Sequence, residues 1–309
     1  MATAFVTGAT GVLGRGTVER LLDQGHHVRA LARNAERAAV ISASGAEPVV
    51  ADIYDVDAMT RAMSGVDSVL HLATRIPPVT QARKASAWEE NTRLRAIGTK
   101  VLVDAALAAG VGRVVAESIT LIYRDGGSDW IDERSTVEPT PGLESVVTLE
   151  HEVERFTTAG GVGIALRFGL FYGSDARSTD EYLQAAARRV APVLGAAGAY
   201  LSSIDTGDAA NAVVASYHAP AGVYNVVDDV PLTRRAFTDA FAAAFGFRHL
   251  RIVAGPVVRI AGGAAAPALL RSLRVGNAAF RNATGWAPEM PSAIEGWKRV
   301  AATKETSRA

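Results

Sequence analysis

The segment Thr7-Gly8-Ala9-Thr10-Gly11-Val12-Leu13-Gly14 constrains this chain more than any other. It follows the apolar run Ala4-Phe5-Val6 and opens Val12–Gln24, a stretch with helical apolar spacing. Glycines at this spacing between a strand and a helix each have a task. The first permits a tight turn, the second lets backbone approach a pyrophosphate, and the third lets helix and strand pack closely. The phosphates then meet the free N–H groups and positive end of the helix. A dinucleotide is therefore expected on Gly8, Thr10, Gly11, Val12, Leu13 and Gly14.

The surrounding pattern supplies the context such a turn requires. Short β-branched runs at Thr3–Thr7, His27–Ala32, Pro48–Ala51, Ser68–Leu72, Arg113–Glu117 and Gly163–Phe168 alternate with amphipathic stretches. The latter are Val12–Gln24, Asn34–Ser42, Val56–Met63, Trp88–Ala109 and Leu143–Thr158. This alternation predicts an α/β fold with a Rossmann-type, doubly wound parallel sheet. Adjacent apolar residues within the strands, such as Val49-Val50, predict helices on both faces. Beyond residue 170 helical spacing dominates, at Asp180–Arg189, Asp205–His218, Thr233–Phe245, Val257–Arg274 and Ser292–Thr303. We expect a nucleotide-binding domain over 1–170, with 222–227 rejoining its sheet, and a smaller, mainly helical substrate lobe over 171–309. The tail Lys304–Ala309 is expected to be disordered.

Composition narrows the function classes. Lys+Arg and Asp+Glu balance at 32 each, with no basic run, so neither nucleic acid nor an anionic membrane is an expected partner. There is no cysteine, and the six histidines lack ligand spacing, so no metal is expected. Ile252–Leu270 is barely long enough to span a membrane and holds Arg259, Pro256 and Pro267, which favours a buried helix pair. A cytoplasmic protein acting on a small molecule, as monomer or homodimer, is the expectation.

The second strand bears on which dinucleotide. NAD binders place an acid at its end to hold the ribose hydroxyls, but here Ala32 is followed by Arg33-Asn34, with no acid before Glu36. A guanidinium pairs with a 2′-phosphate that a carboxylate would repel. Arg33 therefore argues for NADP(H), and Arg15 is a candidate second cation.

Taken together, these residues resemble the short-chain dehydrogenase/reductase superfamily, in particular its extended branch of epimerases, dehydratases and reductases. The resemblance spans nearly the whole chain. The first motif is similar to that family's TGxxGxxG. Asp52-Ile53 resembles its adenine-contacting segment, and Leu72-Ala73-Thr74 its cofactor-lining turn after the fourth strand. Gly98–Ala106 resembles the GTxNLLxAA helix. Leu166-Arg167-Phe168 with Phe171-Tyr172-Gly173 resembles the strand and loop beside the nicotinamide, which implies a cofactor contact for Phe168.

One departure matters. The family's chemistry rests on Tyr-x-x-x-Lys plus Ser or Thr, and none of the seven tyrosines here has Lys four residues later. Aligned by resemblance, the Tyr falls on Val146, the Lys on Glu150 and the Ser on Ile119, flanked by Ser118 and Thr120. Three readings follow. The chain is a ketoreductase that takes its proton from water or from a phenol or enol beside the ketone; such substrates are typical of aromatic polyketides, and atypical reductases of this superfamily occur in antibiotic pathways of that kind. Or it binds NADP(H) as a sensor without turnover. Or it is an epimerase or dehydratase with a substituted acid–base residue. The first is favoured on the family's base rate.

Ser118 and Thr120 end the fifth strand, where ligands gather in such sheets, and are candidates for binding a carbonyl. Tyr123 is a candidate donor. Arg95, one turn from Asn91, is a candidate to stabilise an alkoxide or phenolate. His151 neighbours Glu150, and Trp130, Phe168 and Phe171 are candidates for an apolar wall. Arg188-Arg189 fits a charged helix face better than a second pyrophosphate site.

Overall fold

The computed structural model describes residues 1–77, 81, 83–261, 263 and 266–306. Seven strands form one parallel sheet: β1 (Thr3–Thr7), β2 (His27–Ala32), β3 (Glu47–Val50), β4 (Ser68–His71), β5 (Arg113–Ile119), β6 (Val162–Phe168) and β7 (Gly222–Val226). Their spatial order is β7-β6-β5-β4-β1-β2-β3, so the winding reverses between β1 and β4. Open α/β sheets bind ligands at such a reversal, outside the carboxyl ends of the strands. Thr7 at the end of β1 lies opposite His71 at the end of β4.

Helices cover both faces. Those of the first half are α1 (Val12–Asp23), α2 (Ala35–Ala43), α3 (Val56–Ala62), α4 (Thr99–Ala109) and α5 (Glu144–Thr158). On one face Leu13, Val18 and Leu21 of α1 pack with Val6, Val115 and Leu166, and with Ala209, Ala212 and Val213 of the helix Thr206–Ala215. On the other, Met59, Leu102, Val103 and Phe156 pack on Phe5, Val69 and Val114. Successive residues of β1 alternate between these cores, which is why its apolar run is continuous. Side chains and glycines set the helix boundaries. Asn34 Oδ1 caps α2 by accepting from Arg37 N at 3.0 Å, and α4 ends at Gly110 with φ +70°.

Three stretches depart from expectation. Trp88–Ala109 is helical from Glu89 onward, as expected, but is not a uniform α-helix. A 3₁₀ turn (Ala85–Trp88), an α-helical stretch (Glu89–Arg93) and a π turn (Leu94–Gly98) precede α4. The wide turn carries Leu94 and Arg95 inward and leaves Ile97 half exposed. The second half contains more strand than its helical spacing suggests. Leu170–Tyr172 pairs with Ser203–Asp205, Val190–Leu194 with Arg251–Val253, Tyr200–Leu201 with Leu232–Thr233, and Trp130–Ile131 with Arg274–Val275. Val257–Arg274 contains two short helices, Gly255–Ala261 and Ala266–Leu270, and ends in a strand; Gly262, Ala264 and Ala265 lie outside the described residues.

The last helix, Ala293–Thr306, includes Lys304, whose Nζ donates to Asp180 Oδ1 at 2.7 Å, so that part of the expected tail is ordered. Residues 307–309 lie outside the described residues. Trp297 of this helix is fully buried among Tyr172, Tyr182, Phe237, Phe241 and Phe245. Among the described residues no helix is long and apolar enough to cross a membrane, and no three His, Asp or Glu side chains are grouped to hold a metal.

Candidate active site

The Gly-rich turn has the geometry its sequence demands. Gly8 sits at φ +77°, and a Cβ there would lie 2.5 Å from Leu72 O. A Cβ on Gly14 would lie 2.1 Å from Gly8 O, well inside contact distance. Gly11 is the N-cap of α1 and has no side chain to cap it, and the first turn holds no acid. The first amides of α1 are thus left to an external acceptor, which suits a pyrophosphate. With a nicotinamide cofactor bound, these residues would hold its phosphates and the cofactor would supply hydride.

The flanking positions fall around this turn. Leu72 N donates to Thr7 O at 3.2 Å, and Ala73 and Thr74 continue without regular structure. Asn91 Oδ1 accepts from Arg75 N at 2.8 Å and ties down the end of that segment. Asp52 is exposed; its Oδ1 accepts from Tyr54 N at 3.0 Å, while Ile53 turns inward beside Gly98. Arg33 is exposed at the end of β2 and has no ion pair among the described residues.

Two residues do not fit their expected cofactor roles. Arg15 Nη2 pairs with Asp175 Oδ2 at 3.3 Å, across the groove lined by Ser174 and Thr206, so its charge is partly neutralised. The Phe168 ring is buried in the core against Phe171, centroids 5.3 Å apart, which leaves only its backbone for a ligand.

At the carboxyl ends of β5 and β6 lies a buried cluster of charges. Arg167 Nε and Nη2 grip Glu150 Oε1 and Oε2 at 2.8 and 2.6 Å. Ser118 Oγ donates to Glu150 Oε1 at 2.6 Å. Arg167 Nη1 donates to Tyr123 OH at 2.8 Å, and that hydroxyl donates to Asn225 Oδ1 at 2.8 Å. The helix α5 therefore presents a carboxylate where the family resemblance places an ammonium, and a guanidinium from β6 neutralises it.

This cluster corrects two of the expected catalytic roles. Tyr123 is fully buried with both hydroxyl functions engaged, and burial pushes its pKa up to about 12. It ties the segment after β5 to Arg167 of β6 and Asn225 of β7 and is not a free donor. The Ser118 hydroxyl already donates its hydrogen bond to Glu150. Thr120, 3% exposed, begins the 3₁₀ turn Thr120–Ile122, and its hydroxyl makes no side-chain hydrogen bond among the described residues. His151 points outward from α5 and does not join the site. Trp130 is exposed and stacks on Arg274, whose Cζ is 4.3 Å from the ring centroid. Arg188 and Arg189 are exposed.

A second buried pair lies beside the first. Arg95, 2% exposed, is carried in by the π turn; its Nη2 is 3.5 Å from Glu117 Oε1 on β5. Its Nε and Nη1 are buried without partners. Burial, the larger influence, raises the Glu117 pKa to about 7 despite Arg95. Nearby, His71 Nδ1 lies 2.8 Å from Thr7 Oγ1, while burial and then Arg95 depress its pKa to about 3. Glu117 and Arg167 were missed as site residues in the sequence. Their signal was a charged residue inside an apolar strand, RVVAESI and VGIALRF, since an unpaired charge there is costly.

Known proteins sharpen this. A family model described as NAD(P)H-binding matches residues 8–140. The 3-diazoavenalumate denitrifying reductase of a Streptomyces species is 32% identical over 306 residues, covering 96% of this chain and 99% of that protein. A 4-hydroxy-2-methyl-3-oxo-4-farnesyl-3,4-dihydroquinoline-1-oxide ketoreductase of Stigmatella aurantiaca is 29% identical over 242 residues, or 75% of this chain and 70% of that one. Among solved structures, a dTDP-glucose 4,6-dehydratase from Streptomyces venezuelae superposes with a TM-score of 0.80 at 23% identity, covering 99% and 98% of the two chains; this similarity concerns the fold. An intact dinucleotide turn, this sheet order and near full-length similarity to a reductase lead to one conclusion: the chain belongs to the extended short-chain dehydrogenase/reductase family and is an NAD(P)H oxidoreductase.

Proposed function

We propose that the protein is an NADPH-dependent ketoreductase for a bulky, aromatic or polyketide-type ketone, with the proton drawn from substrate or water and not from an active-site Tyr. One observation carries this reading: the cofactor cradle is complete, while Val146 and Glu150 occupy the positions aligned with Tyr and Lys and Tyr123 is sealed in the core. Arg33 supports NADPH over NADH. Thr120 and Arg95 are the groups left to meet an oxygen that gains charge. The quinoline ketoreductase adds support, because its named substrate is a bicyclic ketone with a hydroxyl on the carbon beside the oxo group. Such a hydroxyl stabilises the developing alkoxide from within the substrate.

Similarity over almost the whole chain to a denitrifying reductase favours a second reading, in which a ring-bound diazo group is reductively lost. Replacement of N2 by hydride needs no proton on oxygen, so it too dispenses with Tyr. The test is oxidation of NADPH, followed at the nicotinamide absorbance, with peri-hydroxy tetralone, phenanthrenequinone and an aryl diazonium salt. Ketone-dependent oxidation supports the first reading. N2 release from the diazonium salt alone supports the second. Tight NADPH binding with no turnover of any of the three would overturn both.

A further inference from the structure

We propose that the Glu117 carboxyl, backed by Arg95, is the acid that supplies the carbonyl oxygen with its proton. This rests on the ketoreductase reading and specifies the water-fed route within it. The argument starts from two buried carboxyl groups at the same end of the sheet. Glu150 receives three hydrogen bonds, two from Arg167 and one from Ser118, so its charge is fully partnered by Arg167. Glu117 is 4% exposed and receives no hydrogen bond among the described residues; its one charged contact is Arg95 at 3.5 Å. A carboxylate buried with so little compensation takes up a proton. Neighbouring carboxyl groups whose surroundings differ this much divide into a fixed charge and a proton carrier.

Placement agrees with the role. Glu117 lies two residues before Ile119, the position aligned with the family's hydroxyl residue, and side chains two apart in a strand share a face. Thr120, whose hydroxyl makes no side-chain hydrogen bond among the described residues, follows at once. Arg95 has two buried nitrogens without partners, so it can stabilise the carboxylate left once the proton has gone. It owes its position to a π turn, a local irregularity often found at functional sites.

The remaining titratable groups around the pair are fixed. His71 from β4 is held neutral, and Glu150 from α5 is neutralised by Arg167 from β6. Burial then poises Glu117 at about 7, where a general acid is most useful near neutral pH. The step balances. Hydride forms the new C–H bond, the C=O π pair moves to oxygen, and oxygen takes the Glu117 proton. The carboxylate stays beside Arg95 until solvent reprotonates it.

The test combines kinetics with a readout that needs no turnover. With peri-hydroxy tetralone, wild-type kcat is expected to fall tenfold per pH unit above about 7. E117Q is expected to lower kcat about 100-fold or more and to lose that limb, with NADPH affinity unchanged within about threefold. E117D should recover part of the rate and the limb. The methyl ether of the tetralone should remain a substrate of the wild type. Where E117Q does not fold, the double variant R95M/E117L, which leaves no unpaired charge, replaces it. Independently, carbon-13 NMR of glutamate-labelled protein should show one carboxyl titrating near neutral pH that vanishes in the variant. Wild-type kcat in E117Q, an inert methyl ether beside an active phenol, or no carboxyl titrating above the usual carboxylate range would each overturn the proposal. Absence of ketone turnover by the wild type, with the NMR titration present, would count against the ketoreductase reading and leave the poised Glu117 standing.

Discussion

The two ends of the cofactor crevice are built on different principles. At the Gly8–Gly14 turn, function rests on backbone and on the absence of side chains: a Cβ at Gly14 would sit 2.1 Å from Gly8 O. At the ends of β5 and β6, the arrangement rests on side chains paired across separate elements, such as Glu150 with Arg167. Steric constraints leave few alternatives, so the first end keeps its pattern while the fold persists. Charges can be exchanged in compensating sets, so the second end can change its chemistry without losing the fold. The same scaffold therefore keeps a familiar cofactor cradle beside a rebuilt charge cluster, and it is there that the proposed reading departs from the Tyr–Lys route.

The largest test of this contrast is Gly14→Val. It should abolish NADPH binding, raising Kd by at least ~100-fold in calorimetry, or about 2.8 kcal/mol. Gly11→Ala, where the Cβ would lie 3.1 Å from Gly8 O, should cost far less. Equal losses would show that backbone crowding is not what the turn depends on. Next is Glu150→Lys, which installs the family's residue. It places an ammonium against Arg167 in a buried site, so stability should fall by about 3–5 kcal/mol. That corresponds to a Tm lower by roughly 10 °C in thermal denaturation. An unchanged Tm would mean that the charge cluster tolerates single replacements, and the contrast would weaken.

A smaller effect is expected from Arg33→Asp, which should weaken NADPH about 10–100-fold and spare NADH, by loss of charge-assisted hydrogen bonds to a 2′-phosphate. Parallel loss of both cofactors would remove Arg33 from that role. Smallest for chemistry is Tyr123→Phe. It should cost about 1–3 kcal/mol of stability, because Arg167 Nη1 and Asn225 Oδ1 lose their partner. Turnover should stay within about threefold, and a collapse of kcat in a folded variant would return Tyr123 to the chemistry.

The same contrast explains what was legible in the sequence. The Gly turn and the seven sheet strands could be seen because a missing Cβ and a continuous apolar run are local marks of buried backbone. The short paired strands of the second half, such as Tyr200–Leu201 with Leu232–Thr233, could not, because two residues carry no period. Arg95 was found as a candidate, but its burial depends on a π turn that apolar spacing does not encode. Tyr123 looked available because sequence does not show that Arg167 and Asn225, 44 and 102 residues away, converge on its hydroxyl. Glu117 was passed over inside an apolar strand, although a lone carboxylate there was itself the clue.

The link from Tyr123 to Asn225 also governs the order of assembly. Strand β7 enters the sheet only after more than fifty residues of the second half have been made, and it pairs with β6 from Gly222↔Ile164 to Val226↔Phe168. Until Asn225 arrives during synthesis, the Tyr123 hydroxyl and an edge of β6 wait without their final partners. The nascent first half therefore carries an open strand edge beside its buried charge cluster, the kind of edge that invites pairing with another chain. A chain cut near residue 170 is expected to aggregate and not to persist as a free nucleotide-binding unit, because the floor of the site and the closure of the sheet are completed by the same late strand.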